Sequence, residues 1–286
     1  MRLTTVRLTR DRTAAARMDK RHLTLLAHTD VGTLIASGPD WVRHAAADTA
    51  ERLPLKDATP AERLYSPARV IRVERNYPTR TKELGVHRPS APSARVTRPG
   101  AITGARTSIP LPASEAGTSW GFELGVVISR GAHHIPASSS LRHIAGYVVI
   151  GHLDATGDAT RQPNRAPVTS TGPFDAVLLL GPTLVTPDQL PPGGRGLTVT
   201  ATLDGRLVQK ANTSELYFDV ATLVAHASTL APLRPGDLIA TGTPGGTHGH
   251  RLAPGQHLAA GIKGLGDINV SVTAEAAQQP LPSNRS

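Results

Sequence analysis

The segment DLIATGTPGG, residues 237–246, joins a short apolar run to a turn built from threonines, glycines and one proline. The run LIA at 238–240 predicts a buried strand. Glycines in the turn let the backbone approach a neighbour closely, which suits a turn that holds a ligand. We therefore predict a strand that ends in a binding turn.

Short β-branched runs like this one occupy most of the chain from Leu64 onward. The clearest are SWGFELGVVISRG (119–131), AGYVVIGHL (145–153) and GLTVTATLDGRLV (196–208), and the segments that separate such runs contain glycine and proline. Such a pattern is typical of a mostly antiparallel β protein with tight turns. The Asp-Gly pair at 204–205 predicts a hairpin between two alternating strands.

Helical patterns occur at two places. Residues 38–53 predict an amphipathic helix, and residues 214–233 predict a second helix with Ser214 as its N-cap. Pro-rich and Gly-rich composition predicts loops over 86–100 and 155–173.

The chain divides into three predicted parts. Residues 1–60 form a small N-terminal α+β subdomain, residues 61–275 form the main β domain, and residues 276–286 form a disordered tail.

The charge balance is basic. The 286 residues include 31 Lys and Arg against 22 Asp and Glu, which gives a formal net charge of +9. Only five of the cations are lysines, so the positive excess is almost entirely arginine. The arginines are scattered among alanines instead of forming runs. Aromatic residues make up 3%, so few side chains are available to stack on bases. We therefore expect no nucleic-acid partner.

Cysteine is absent, which excludes disulfides, thiolate metal sites and cysteine nucleophiles. The N-terminus lacks the apolar core of a signal peptide, and no stretch reaches the ~18 apolar residues of a membrane span. We expect a cytoplasmic protein with no membrane partner.

Several motifs follow one another in a recognisable order: RNYPTRTKELG (75–85), AITGARTSIPLP (101–112), FELGVVISRGA (122–132), AGYVVIGHLDA (145–155) and LRPGDLIATGTPGG (233–246). This series resembles the fumarylacetoacetate hydrolase family over residues 64–272, and the conserved order argues against a chance match. The resemblance implies an α+β, mostly β fold with a mixed β-roll domain, usually dimeric, whose open mouth carries the active site. It also implies small 2-oxo acid or 1,3-dicarbonyl substrates, a Mg²⁺ or Mn²⁺ ion on three carboxylates, and a His–Glu pair that activates water.

The positions that carry this chemistry in the family are changed here. Gly121 replaces the first carboxylate of the E-x-E motif, while Glu123 keeps the second. His152 replaces the aspartate of the N-D pair, and Arg80 replaces the histidine beside the retained Glu83. Because each lost carboxylate removes negative charge from a Mg²⁺ site, we expect metal-dependent hydrolysis to be lost.

The remaining polar residues predict acid–base chemistry in the same mouth. Alternate residues of a strand share a face, so Glu123, His152 and Asp154 can point there together. A histidine titrates near neutrality and can move a proton, and a buried Glu123 could act as an acid. Arg80 and Arg98 would supply the positive charge of the missing ion, so no cofactor is needed.

The predicted site has two groups of residues. The catalytic residues are Glu123, His152, Arg80 and Glu83. The substrate-binding residues are Asp154, from its strand face, and by resemblance Tyr77, Arg98, Tyr147, Gln209, Thr241 and Gly242. Within this group, Thr241 is expected to offer its hydroxyl and backbone donors to a substrate carboxylate or carbonyl.

Three functional interpretations remain open. The first is a metal-independent lyase, isomerase, dehydratase or cyclase that acts on a small carbonyl-rich metabolite. The second is a C–C hydrolase or decarboxylase that keeps Mg²⁺ or Mn²⁺ on the rearranged ligands Glu123, His152 and Asp154. The third is an inactive homologue that serves as a binding or structural partner. A homodimer is expected from the resemblance alone.

Overall fold

A computed structural model describes residues 1–46, 51–111, 118–154 and 177–275 of the chain. The described strands form a 13-stranded sheet and a 5-stranded sheet, and short helices connect some of the strands along the chain. This arrangement confirms the predicted α+β, mostly β fold class. Across the described ranges, none of the helices is both long enough and apolar enough to cross a membrane.

In chain order the strands are β1 (Arg2–Arg7), β2 (Thr13–Met18), β3 (His22–Leu25), β4 (Arg52–Pro54), β5 (Thr59–Pro60), β6 (Val70–Glu74), β7 (Ser93–Thr97), β8 (Ala101–Thr103), β9 (Arg106–Leu111), β10 (Ser119–Ile128), β11 (Ile144–Asp154), β12 (Val177–Leu180), β13 (Leu184–Val185), β14 (Thr198–Leu203), β15 (Arg206–Asn212), β16 (Leu238–Ala240), β17 (His257–Ile262) and β18 (Gly266–Ala274). The α-helices are α1 (Val31–Ala36), α2 (Trp41–Ala46), α3 (Pro78–Leu84), α4 (Ala137–Ser140) and α5 (Val220–Leu230).

Ten strands of the large sheet run in the order β4-β3-β2-β1-β13-β11-β10-β16-β6-β7. The other three join it outside this order: β5 pairs with β1, β12 with β11, and β8 with β12. The long strands β10 and β11 pair antiparallel along their whole length. On the other side of β10 lies β16, which pairs antiparallel with β10 and parallel with β6. The small sheet runs in the order β15-β14-β17-β18-β9. Strands β11, β10 and β16 therefore lie side by side at the centre of the large sheet, and the TGTPGG turn follows β16.

The central strand pair separates two hydrophobic cores. Phe122 and Leu124 of β10 belong to the core that also contains residues of the small sheet, such as Val270. Val127 and Val148 belong to a second core with residues of α1 and α2. Because successive strand residues point to opposite faces, the alternation of residues along β10 and β11 assigns each side chain to one side.

The N-terminal residues share this sheet and this second core. Arg2 of β1 pairs with Val185 of β13, and Leu3 packs into the same core as Val148. The boundary at residue 60 stays a prediction, because hydrogen bonding and apolar packing continue across it.

The helices differ in length from the sequence prediction. The helix predicted over 38–53 is wrong at its C-terminal end, since α2 ends at Ala46 as described and Leu53 lies in β4, where it pairs with Leu23. Residues 47–50 lie outside the described ranges.

The second helix, α5, begins at Val220, and its N-cap is Asp219 instead of Ser214. The Asp219 side chain accepts a 2.8 Å hydrogen bond from the Thr222 amide. Asn76 holds the preceding residues outside the helix, because its side-chain oxygen accepts from the Phe218 amide at 2.9 Å.

Two loop predictions have different outcomes. The segment 86–100 is not wholly a loop, since it contains β7, which pairs antiparallel with β6 and sets Arg95 opposite Arg72. The loop predicted at 155–173 and the tail at 276–286 lie outside the described residues. The Asp-Gly hairpin is confirmed: it joins β14 and β15, with positive φ at Asp204 and Gly205.

Candidate active site

The candidate site lies where β10 and β11 present polar residues on one face. Gly121 lies directly opposite His152, and Ser119 lies opposite Asp154. Glu123 is two residues from Gly121 along β10 and therefore shares this face. The predicted grouping of Glu123, His152 and Asp154 on one face agrees with the register of the strands.

A cleft opens over this face, and its lining is rich in charge. Its ionisable lining residues are five arginines, three carboxylates and two histidines: Arg72, Arg75, Arg80, Arg95 and Arg251; Glu74, Glu123 and Asp154; His152 and His248. With neutral histidines the lining carries more positive than negative charge. A cleft of this kind attracts small anions.

The TGTPGG turn holds Glu123. The Gly242 amide donates a hydrogen bond to Glu123 Oε2 at 2.5 Å, and the Thr243 hydroxyl donates to Glu123 Oε1 at 3.0 Å. Glu123 is 3% exposed, so these two donors fix its carboxylate inside the protein. The Gly242 amide therefore binds Glu123, whereas the sequence predicted that Gly242 contacts the substrate.

His152 lies between two carboxylates. Its Nδ1 is 3.5 Å from Glu123 Oε1, and its Nε2 is 3.7 Å from Asp154 Oδ2. Both distances exceed those of good hydrogen bonds, so the imidazole is near both groups without being locked to either. Its side chain is 18% exposed and lines the cleft. His152 can therefore reach a bound molecule, and so can Asp154, which also lines the cleft and is 20% exposed.

Arg72 pairs with Asp154 through two hydrogen bonds of 2.9 Å, one from each terminal nitrogen. Burial alone would raise the pKa of Asp154, but the charges of Arg72 and His152, the hydrogen bonds from Arg72 and the charge of Arg95 lower it to about 2. Burial disfavours the charged form of Arg72, yet Asp154 and Glu123 raise the pKa of that guanidinium above its ordinary value. Asp154 is therefore an anion at neutral pH.

Gly121 leaves room for its neighbours. A Cβ atom at this position would lie 2.4 Å from Thr243 Cγ2 and 3.0 Å from His152 Cε1. These contacts are closer than packed atoms tolerate, so Thr243 and His152 occupy the space of a side chain at position 121. The lost carboxylate is thus matched by inward packing of two other residues.

Arg80 and Glu83 form an ion pair on α3, with Arg80 Nη1 2.9 Å from Glu83 Oε2. The other oxygen of Glu83 accepts from the amides of Gly246 and His248, both at 2.9 Å. Arg80 lines the cleft, whereas Glu83 lies behind it. Glu83 therefore positions the loop that follows the TGTPGG turn, and this geometry does not favour the predicted catalytic role.

Thr241 does not present its donors to the cleft. Its hydroxyl and its amide both donate to the Leu124 carbonyl, at 3.0 and 3.1 Å, and the residue is fully buried. Gln209 is also fully buried, and its side-chain amide donates to the Pro244 carbonyl at 3.0 Å. Both residues support the turn from behind, and the predicted contact of each with substrate is replaced by a contact within the protein.

The two predicted tyrosines are core residues. Tyr147 packs in the larger core, and burial raises the pKa of its phenol to about 12. Tyr77 is 0% exposed, and burial, followed by the charges of Glu123 and Glu215, raises its pKa. Neither belongs to the cleft lining.

Arg98 lies outside the cleft. It is exposed and follows Thr97, which pairs with Val70 at the start of β6, whereas the cleft lies near Glu74 at the end of that strand. Arg95 is the arginine of β7 that lines the cleft, and it forms an ion pair with Glu74. The arginine of this segment that lines the cleft is therefore Arg95, whereas Arg98 was the predicted one.

Five further charged residues line the cleft and were not predicted: Arg72, Glu74, Arg75, Arg95 and Arg251. The signal for the first two was available: in the strand pattern VIRVE, charged residues alternate with apolar ones, which indicates a polar face at the end of a strand. Arg95 and Arg251 carry no such signal, because their positions depend on distant strand pairing.

The metal site implied by the resemblance does not fit these residues. Position 121 has no side chain, and the space around it is filled. Both oxygens of Asp154 bind Arg72, which places a guanidinium where a cation would need free carboxylate oxygens. Within the described ranges, no group of three or more His, Asp or Glu side chains is placed to hold a metal ion. The alternative ligand set of Glu123, His152 and Asp154 is therefore not arranged as a metal centre.

Comparisons with known proteins agree with the fold and the motifs. The fumarylacetoacetate (FAA) hydrolase C-terminal family model matches residues 69–273. The mitochondrial oxaloacetate tautomerase FAHD2B of Homo sapiens is 31% identical over 212 residues, which are 74% of this chain and 67% of the human protein. The solved 5-carboxymethyl-2-hydroxymuconate delta-isomerase from Mycobacterium smegmatis has a TM-score of 0.75 at 25% identity, covering 96% of this chain and 100% of that one.

A further solved structure shows the fold alone, at 21% identity and a TM-score of 0.74. It is the maleylpyruvate hydrolase from Sphingobium sp. SYK-6 in complex with manganese(II) and pyruvate, and the match covers 96% of this chain and 99% of that one. The family match over most of the chain, together with a relative above 30% identity, shows that the chain belongs to the fumarylacetoacetate hydrolase family.

Proposed function

We propose that this protein is an isomerase that moves a proton within a small carbonyl-rich acid and does so without a divalent ion. The observation that carries the proposal is the imidazole of His152 between two carboxylates in a cleft lined by arginines. Relatives named as a tautomerase and as an isomerase support the reaction class. A 2-oxo acid or a 1,3-dicarbonyl compound is the proposed substrate.

In the proposed reaction, a base removes a proton from the carbon next to a carbonyl, and a proton returns to another atom of the same molecule. His152 is the group placed to exchange this proton, because its ring lines the cleft. Glu123 lies behind the ring and is held by Gly242 and Thr243, so it keeps a fixed position from which to take or supply the proton of Nδ1. The reaction neither gains nor loses protons overall, and no water is consumed.

The charge that develops on the substrate is an enolate oxygen. In relatives with a metal, the ion would stabilise that oxygen. In this chain, guanidinium groups of the cleft are proposed to take that role, because they donate charge-assisted hydrogen bonds to oxyanions. Asp154 remains ionised beside Arg72, which keeps one carboxylate facing the Nε2 side of the imidazole.

A lyase, a dehydratase or a cyclase would begin with the same proton removal, so these classes remain within the wider proposal. The isomerase is preferred because it needs only the proton transfer. The homodimer expected from the resemblance also remains a proposal, which sedimentation analysis of the purified chain would test.

The experiment is proton exchange followed by NMR in D₂O. The purified chain is incubated with 2-oxobutyrate, oxaloacetate or acetoacetate, with and without EDTA, and its metal content is measured. We expect the protons next to the carbonyl to exchange faster than in buffer, at a rate that EDTA does not change. His152→Asn should abolish the acceleration, while Arg206→Gln, at an exposed position of β15, should leave it unchanged.

Two outcomes would contradict the proposal. Activity that is lost in EDTA and restored by Mn²⁺ would support the metal-dependent hydrolase or decarboxylase. Absence of exchange with all three compounds would support the inactive homologue.

A further inference from the structure

Three of the five cleft arginines are paired with carboxylates. Arg72 pairs with Asp154, Arg80 with Glu83, and Arg95 with Glu74. Arg75 and Arg251 have no carboxylate partner among the residues that the structure describes. Three of the cleft arginines are therefore neutralised by carboxylates, while Arg75 and Arg251, as far as the chain is described, keep an uncompensated positive charge.

Of these two arginines, Arg251 is the one whose surroundings indicate a ligand. Its Nη1 atom is buried and has no hydrogen-bond partner within the described part of the chain. A buried cationic donor without an acceptor is costly, because it has lost water and gained nothing in return. Such a donor is expected to bind an anionic group that enters from the cleft.

The backbone on both sides of Arg251 is fixed to the start of β10. The Trp120 indole donates a 2.6 Å hydrogen bond to the His250 carbonyl, and the Leu252 amide donates to the Thr118 carbonyl at 3.0 Å. Trp120 itself lines the cleft. Arg251 is thus held by two anchors close to the strand that carries Glu123, which is the placement of a preorganised binding group.

We propose that Arg251 recognises the carboxylate of the substrate and determines specificity for acids over neutral carbonyl compounds. The planar guanidinium matches a carboxylate with two parallel hydrogen bonds, whereas an amide of the same shape lacks the charge. The assignment rests on the proposed function for its substrate class. It concerns binding, so it can be tested without turnover.

The test is calorimetric binding of 2-oxobutyrate and of its neutral counterpart, 2-oxobutanamide. The wild-type chain should bind the acid more tightly than the amide. Arg251→Gln should weaken binding of the acid by roughly tenfold to a hundredfold and leave binding of the amide unchanged. Arg251→Lys should fall between, since lysine keeps the charge and loses the planar fork. Arg206→Gln is the matched control, because it removes an exposed arginine of the small sheet.

Thermal unfolding of each variant establishes that it is folded. Equal weakening of the acid and the amide in Arg251→Gln would overturn the assignment, since it would indicate a structural role. Unchanged binding of both compounds, or a wild-type chain that does not prefer the acid, would overturn it as well. Acid-selective binding that depends on Arg251, in a chain that shows no proton exchange, would uphold the assignment and refute the proposed reaction.

Discussion

Replacing Arg72 with methionine should destabilise the protein in a pH-dependent manner. Methionine keeps most of the aliphatic volume of arginine but removes both hydrogen bonds to Asp154. The Asp154 side chain is 20% exposed, so its carboxylate would remain largely buried without its main partner. Removing one member of such a pair is expected to cost more than removing both.

The magnitude follows from the titration of Asp154. Its pKa falls from 3.8 to about 2 in the folded protein, and at about 1.4 kcal/mol per pH unit this corresponds to about 2 kcal/mol of stability at pH 7. Because the folded-state pKa lies below the unfolded value, this stabilisation is present above pH 3.8 and is lost as the pH falls towards 2. About 1 kcal/mol of it should remain at pH 3.

The assay is urea unfolding followed by tryptophan fluorescence, at pH 7 and at pH 3. Arg72→Met should lower the free energy of unfolding by about 2 kcal/mol at pH 7, and by about half as much at pH 3. The m-value should not change, which shows that the same surface is exposed in both proteins. The double variant Arg72→Met/Asp154→Asn should recover stability at pH 7, because the unpaired charge is gone.

A loss that is equal at pH 7 and pH 3 would refute this reasoning. It would show that methionine disturbs the packing and that the ion pair contributes nothing measurable. A double variant no more stable than Arg72→Met would lead to the same conclusion.

Three further predictions concern positions around the cleft. Gly121→Ala should lower the free energy of unfolding by about 1–3 kcal/mol and slow proton exchange, because the new methyl group displaces Thr243 from Glu123. A variant as stable in urea as the wild type would refute the steric overlap between this methyl group and Thr243. Arg98→Gln should leave kcat/KM within twofold of wild type, since Arg98 is exposed outside the cleft; a tenfold loss would place it at the substrate. Glu83→Gln should reduce kcat/KM about tenfold, because it weakens the hydrogen bond that holds the loop at Gly246, and it should leave the pH profile of kcat/KM unchanged. Loss of one limb of that profile would show that Glu83 titrates during turnover.

Local patterns predicted the parts of the site that depend on one strand at a time. The two-residue period of β10 and β11 correctly indicated that Glu123, His152 and Asp154 can share a face, because alternation is a property of any extended chain. The Asp-Gly hairpin was predicted for a similar reason, since positive φ at these residues is a local preference.

The roles implied by the family resemblance failed where a hydrogen-bond donor is already bonded to another part of the protein. Thr241 was predicted to bind substrate, but its hydroxyl donates a hydrogen bond to the backbone carbonyl of Leu124, which is 117 residues away in the chain. Arg98 was predicted by resemblance to the family, but Arg95 is the arginine of β7 that lines the cleft. The sequence does not show which end of β7 lies at the cleft. That choice depends on the antiparallel register of β6 and β7.

The sequence by itself determined the mostly β fold class, the family resemblance and the loss of carboxylates at positions 121 and 152, because these follow from residue identity and short-range periodicity. Only the tertiary structure decided that Arg72 binds Asp154, 82 residues away, and that the turn after β16 holds Glu123, 119 residues away. The physical reason is that a strand's own pattern fixes which side a residue faces. Which groups it meets there depends on the strands and loops that pack beside it from distant parts of the chain.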